Sequence, residues 1–119
     1  IKSCGKEVLS VDYSDEALEI LNQNIDGANT LKMNFEEEWL LKKESVDLII
    51  ANLSLHYFNT ETTFKIINNI RDTLIDGGIL IVRLNSVNDT NYGSNSLNEV
   101  EPHYFEIMNY SFHFHLHYL

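Results

Sequence analysis

The run Val8-Leu9-Ser10-Val11 ends in a carboxylate, Asp12, which Tyr13 and Ser14 follow. Valine and leucine in that spacing read as a buried strand, and Ser14 reads as the cap of a helix whose first turn, Asp15-Glu16, suits its positive end. Asp12 therefore stands at the carboxyl end of a strand, where open α/β sheets bind ligands. A carboxylate there can accept hydrogen bonds from both hydroxyls of a ribose, or can serve simply as a turn or cap residue. Other reactive or recognising groups follow. Asn52-Leu53-Ser54-Leu55-His56-Tyr57-Phe58 is a polar and aromatic loop after an apolar run, and Arg83-Leu84-Asn85-Ser86 follows a second apolar run. His56 is the candidate for proton transfer, with Asn85, Ser86 and Tyr92 behind it. Arg83 suits either a neighbouring acid or an acidic substrate, while Asp47 reads as a surface residue at a strand entry. Glu36-Glu37-Glu38 point in different directions on a helix and complement its dipole without forming a metal site.

The elements that position these groups alternate between strand and helix. Ala17-Leu18-Ile20-Leu21-Ile25 has helical spacing with Gly27 as its stop, and Thr30 to Phe35 reads as a second strand. Glu36 opens a brief helix carrying Trp39, Leu40 and Leu41. Ser45 to Ala51 is a near-continuous apolar run, as a parallel strand covered on both faces requires. A helix over Thr60 to Ile75 comes next, then a turn at Asp76-Gly77-Gly78 and a buried strand over Ile79 to Val82. Residues 87–103 are rich in Asn and Ser and read as a loop, and 104–119 as one or two edge strands. This succession is a doubly wound α/β pattern in a single domain over 1–119. Ile1-Lys2-Ser3-Cys4-Gly5 resembles the last turn of a preceding helix, so the domain is expected to be incomplete at its N-terminus.

Composition narrows the function classes. With 119 residues and 44% hydrophobic content, the chain suits a moderate globular core. A formal net charge of −10, with eight Lys and Arg, argues against nucleic-acid partners and anionic membranes. Cys4 is the lone cysteine, so no intrachain disulfide forms, and no signal peptide or spanning segment is evident. A cytoplasmic location is the expectation.

Three stretches in this order resemble the class I S-adenosylmethionine-dependent methyltransferases, especially small bacterial ones. They are Val11-Asp12-Tyr13-Ser14, Val46 to Ala51 running into Leu55-His56-Tyr57-Phe58, and Leu74 to Val82 through Gly77-Gly78, together covering roughly residues 5 to 93. The resemblance implies a Rossmann-like three-layer αβα methyltransferase domain with a mostly parallel sheet. It implies S-adenosylmethionine as cofactor and a small-molecule acceptor. Residue by residue, it implies that Asp12 accepts from the ribose hydroxyls and that Tyr13 lies against the adenine. Asn34 would meet the adenine amino group, where the family often has Asp, and Phe35 would offer its backbone amide. The backbone of Asn52 and Leu53 would lie near the methionine part, with His56, Tyr57 and Phe58 walling the acceptor side. No metal is implied.

The family's Gly-x-Gly loop, which cradles the amino-acid part of the cofactor, has no counterpart here, and its place would lie before Ile1. The strand preceding that loop sits, in the family's order, between the strands of Asp12 and Ile50. The chain is therefore expected to leave two strand edges unpaired and to bind cofactor weakly or not at all. Other readings stay open. Those edges suit a non-catalytic α/β module that associates with a second copy of itself. His113, His115 and His117 share one face of a strand and, with His103, suit zinc, nickel or copper, or else form the polar face of an edge strand. A dinucleotide-binding protein would need a Gly-x-Gly-x-x-Gly that the chain lacks.

Overall fold

The computed structural model describes residues 4–86, 88, 97–102, 104–108 and 113–117, with backbone alone at 97, 98, 101, 105–108 and 113–117. It divides into two compact units, Ile1–Leu40 and Leu41–Leu119. Of the expected N-terminal helix end, Ile1, Lys2 and Ser3 lie outside the described residues.

In the first unit, β1 (Leu9–Asp12) leads through α1 (Asp15–Asn24) to β2 (Asn29–Lys32). The two strands pair in parallel from Leu9 opposite Asn29 to Asp12 opposite Lys32. Ser14 caps α1 as its position suggests, its hydroxyl accepting from the Ala17 N–H at 3.2 Å. The helix ends where the Ile25 N–H donates to the Leu21 carbonyl, and Gly27 turns the chain at a φ of 61°. The apolar stripe of α1 is not the sealed core expected of it. Leu18 and Leu21 are half-buried and Ile20 is exposed, because a pair of four-residue strands offers the helix only a narrow face. Nor does a helix follow Glu36. The Asn34 side chain accepts from the Glu36 N–H at 3.0 Å, and this local turn competes with helical bonding. Further on, the Leu40 N–H donates to the Met33 sulfur at 3.2 Å instead of to a helical carbonyl.

In the second unit, β3 (Val46–Asn52) runs into a 3₁₀ turn at Leu55–Tyr57, then α2 (Thr60–Thr73) and β4 (Leu74–Arg83). The Asn59 side chain caps α2 by accepting from the Thr62 N–H at 2.8 Å. β3 and β4 pair in parallel, ending with Asn52 opposite Arg83. α2 stops before the expected Ile75, and Asp76-Gly77-Gly78 belongs to β4. The extra residues are taken up as an irregularity between the pairs Val46–Leu74 and Leu48–Ile79. Glycine is needed there: Gly77 has a φ of 76°, and a Cβ on Gly78 would stand 2.9 Å from the Ile75 carbonyl oxygen.

Burial across this pair is one-sided, where coverage on both faces was expected. α2 packs on β4, with Ile66 and Ile70 buried, whereas Leu48, Ile50, Ile79 and Ile81 are exposed. The four are opposed in register, Leu48 to Ile79 and Ile50 to Ile81, and so share the uncovered face. β5 (Leu97–Glu101), β6 (Tyr104–Met108) and β7 (His113–His117) form a separate antiparallel sheet in the order β5-β6-β7. β5 lies inside the stretch expected to be loop. Its Asn and Glu look loop-like, yet pairing with β6 satisfies its backbone. Among the described residues β1 pairs with β2 alone and β3 with β4 alone, so each keeps one edge without a strand partner. No helix of the described residues is long and apolar enough to cross a membrane.

Ile66 is fully buried on α2 while its neighbour Ile67 is 40% exposed. Ile66→Ala is expected to cost about 2 to 4 kcal/mol and Ile67→Ala under about 1 kcal/mol, read as the loss of unfolding free energy in urea.

Candidate functional site

The expected site residues fall into two groups, one in each unit. Asp12, Tyr13, Asn34 and Phe35 belong to the first. Parallel pairing places the carboxyl ends of β1 and β2 side by side, and the Met33 N–H donates to the Asp12 carbonyl at 3.0 Å. One carboxylate oxygen of Asp12 accepts from the Ser14 N–H at 2.8 Å, which fixes the side chain above the start of α1. The residue is exposed, and its second oxygen is left for other donors.

Beside it lies a groove lined by Tyr13, Lys32, Met33, Asn34, Glu37 and Leu40. Tyr13 is 67% exposed, with the Lys32 ammonium 6.0 Å from its ring centre. Lys32 also pairs with Asp15, and the hydrogen bond to that carboxylate holds the ammonium above the usual lysine range. The Glu36 N–H can only donate, so the Asn34 atom it meets is the amide oxygen and the amide nitrogen remains for a ligand. Phe35 stacks at a tilt on Trp39, ring centres 5.7 Å apart, just beyond the groove. The apolar Met33 and Leu40, the exposed ring of Tyr13 and the amide of Asn34 make a surface for a flat heterocycle. Asp12 suits a vicinal diol next to it. These residues fit the adenosine part of the implied cofactor.

The second group follows β3. Asn52 is exposed at the strand end, and Leu53 takes a left-handed φ of 52°, which a non-glycine residue adopts only under constraint. The constraint is visible: the Leu53 N–H donates to the Arg83 carbonyl at 2.9 Å. The sharp turn delivers Leu55 and His56 to the interior, each 4% exposed, and leaves Tyr57 about half exposed. The His56 and Tyr57 rings lie 4.2 Å apart, tilted by 37°. The His56 Nδ1 is buried without a hydrogen-bond partner among the described residues. Burial disfavours the imidazolium and pushes His56 below the usual histidine range. Phe58 is half-buried, its carbonyl accepting from the Thr63 hydroxyl at 3.3 Å. The arrangement can accept a proton at a neutral, desolvated nitrogen beside an aromatic ring.

Asn85 is half-buried, Ser86 accepts from the Asn88 N–H at 3.1 Å, and Asp47 is exposed, as its strand-entry position suggests. Tyr92 and His103, like the side chains of His113, His115 and His117, lie outside the described residues. Among the described residues no group of three or more His, Cys, Asp or Glu is placed to hold a metal ion. Lys32 and Met33 carry no sequence signal of function. Lys32 reaches Asp15 and Tyr13 through the strand register, which no local pattern encodes.

A protein-family model described as a methyltransferase domain matches residues 1–82. The crystal structure of the PH0226 protein from Pyrococcus horikoshii OT3 is similar, with a TM-score of 0.73 and 17% identity over 98% of this chain. So is that of a S-adenosylmethionine-dependent methyltransferase from Clostridium acetobutylicum ATCC 824, with a TM-score of 0.63 and 19% identity over 96% of this chain. The chain spans 58% of the length of each of these two proteins. No curated protein matches it. The fold is thus the α/β, Rossmann-like fold of methyltransferases, and the chain belongs to the methyltransferase domain family.

Proposed function

We propose that this domain binds S-adenosylmethionine and takes part in methyl transfer to a small-molecule acceptor in the cytoplasm. The observation that carries the proposal is Asp12, a carboxylate pinned at a strand's carboxyl end beside the Tyr13–Asn34 groove, in a chain of the methyltransferase domain family. The bound cofactor would supply a methyl group on a sulfonium, which needs no protein nucleophile. The chain's own residues then bind and orient. Asp12 receives the ribose hydroxyls, Tyr13 and Asn34 the adenine, and the Phe35 amide its ring edge. The family resemblance would assign the backbone at Asn52 and Leu53 to the methionine part and His56, Tyr57 and Phe58 to the acceptor side. There the neutral imidazole of His56 would take the proton that the acceptor's oxygen or nitrogen loses on methylation. Holding the acceptor in line and close supplies most of the rate. The net charge of −10 favours a small acceptor over a nucleic acid.

A second reading is favoured by the exposed face of Leu48, Ile50, Ile79 and Ile81 and by the unpaired edges of β1 and β3. It is association with a second copy of the chain. Light scattering is expected to give a mass above that of the monomer, rising with concentration; a constant monomer mass sinks this reading.

The nucleotide reading is tested with S-adenosylhomocysteine followed by amide NMR shifts. The 119 residues hold no Gly-x-Gly, so binding is expected to be no tighter than about 100 μM, with shifts centred on Asp12, Tyr13 and Phe35. Asp12→Ala is expected to weaken it roughly tenfold, since one carboxylate oxygen already serves Ser14 and the group is exposed. Unchanged affinity in this variant would remove Asp12 from the site.

The role of His56 as a neutral base has its own test. Between its lowered folded value and about 6.5, the unfolded chain binds a proton at His56 that the folded chain does not. Stability therefore falls as pH drops through that window. The urea midpoint is expected to decline from about pH 7.5 to about pH 5.5, and His56→Gln to flatten that decline. An equal decline in both proteins would show that His56 does not stay neutral in the fold.

A further inference from the structure

The turn that carries His56 has little to hold it locally. It spans three residues, Leu55–Tyr57, and Ser54 before it supplies no side-chain cap. The strained Leu53 precedes it, and the carbonyls at its end have no helical partners of their own. One of them is nevertheless satisfied from far along the chain. The Tyr104 hydroxyl, on β6, donates to the Tyr57 carbonyl oxygen at 3.2 Å. Tyr104 is 8% exposed, so the donor is held in place by its own burial although the Tyr57 side chain is about half exposed. β6 is itself held on both sides, paired with β5 and with β7, and β7 packs against the turn.

We infer that Tyr104 is a positioning residue of the acceptor side, tying the C-terminal sheet to the turn and so setting how deeply His56 is buried and where the Tyr57 ring stands. The inference rests on the proposed function for its meaning, since it makes the antiparallel sheet the wall against which the acceptor loop is shaped. The physical link itself is independent of any ligand. Without the hydroxyl, the Tyr57 carbonyl must find water instead, and the turn that keeps His56 at 4% exposure loses its tie to β6. The titratable residues on the turn and on the elements beside it are His56 and Tyr57, Tyr104 and Glu106 on β6, and His113, His115 and His117 on β7.

The test is Tyr104→Phe, which keeps the ring and removes the donor. The imidazole signal of His56, assigned by its loss in His56→Gln, is titrated by NMR with no ligand present. In Tyr104→Phe the His56 titration is expected to move up towards the ordinary histidine value, and acylation of His56 by diethylpyrocarbonate to quicken at least tenfold. Ile66→Val, which loosens the same unit without touching this contact, serves as the control. An unmoved His56 titration in Tyr104→Phe, or an equal shift in Ile66→Val, overturns the inference. Should Tyr104→Phe fail to fold, the wild-type protein still decides. A His56 that reacts as fast as a free histidine there is not held buried, and slow reaction together with slow exchange of the Tyr57 and Phe58 amides is the expected result. S-adenosylhomocysteine binding, read in parallel, keeps the two claims apart. Its absence from the wild type would strike the nucleotide reading and leave the His56 result standing.

Discussion

Parallel pairing is the constraint from which the rest of this structure follows. Two strands that run the same way cannot be joined by a hairpin, so each pair requires a crossover, which α1 supplies between β1 and β2 and α2 between β3 and β4. The crossover returns the chain to the same end of the sheet, and within each pair both carboxyl ends finish together. Asp12 is thereby set opposite Lys32, and Asn52 opposite Arg83. Loops that leave those ends have backbone groups free of the ladder, and polar side chains there cost nothing in core burial. Strained or locally bonded residues gather at the same places, the Asp12–Ser14 turn in one unit and the left-handed Leu53 in the other.

Much of this was legible in the residues. Capping is a local matter of one side chain and an amide two or three residues on, so Ser14 reads correctly as a helix start, with Asp12 just before it. Element types read well where the apolar period was long, as in α1, α2 and β3. What was not legible depended on partners distant in sequence. Lys32 acquires its place from register, and Tyr104 reaches Tyr57 across 47 residues. Leu97–Glu101 is a strand because β6 pairs with it, although its own composition resembles a loop. The missed turn at Asn34 has a different cause. The acids and leucines after it have adequate helix propensity, but the Asn34 side chain binds the Glu36 amide first.

The apolar run of β3 shows a further limit. A continuous apolar strand encodes a need for cover on both faces, not the identity of what covers it. α2 answers for one face, while Leu48, Ile50, Ile79 and Ile81 stay exposed among the described residues. Each fully buried side chain of this kind gains about 1.5 to 3 kcal/mol relative to exposure. The four are 40 to 59% exposed and so stand to gain only part of this each, which makes this face, and not the polar helix surfaces, the one on which the proposed self-association rests.

The division into two units also bears on how the proposed chemistry would respond to change. The residues proposed for the adenosine part lie in Ile1–Leu40, and His56, Tyr57 and Phe58, proposed for the acceptor side, in Leu41–Leu119. Interactions with the nucleotide are made alike in ground and transition states, so losing one weakens binding without touching the barrier from the bound state. A group that takes a proton as the new bond forms acts only on the way to the transition state, and its loss falls on the rate. Under the proposed function the two classes of effect separate along the chain at about Leu40, with Asp12, Tyr13 and Asn34 governing affinity and His56 governing turnover. Tyr104, acting through the Tyr57 carbonyl, belongs with the second class.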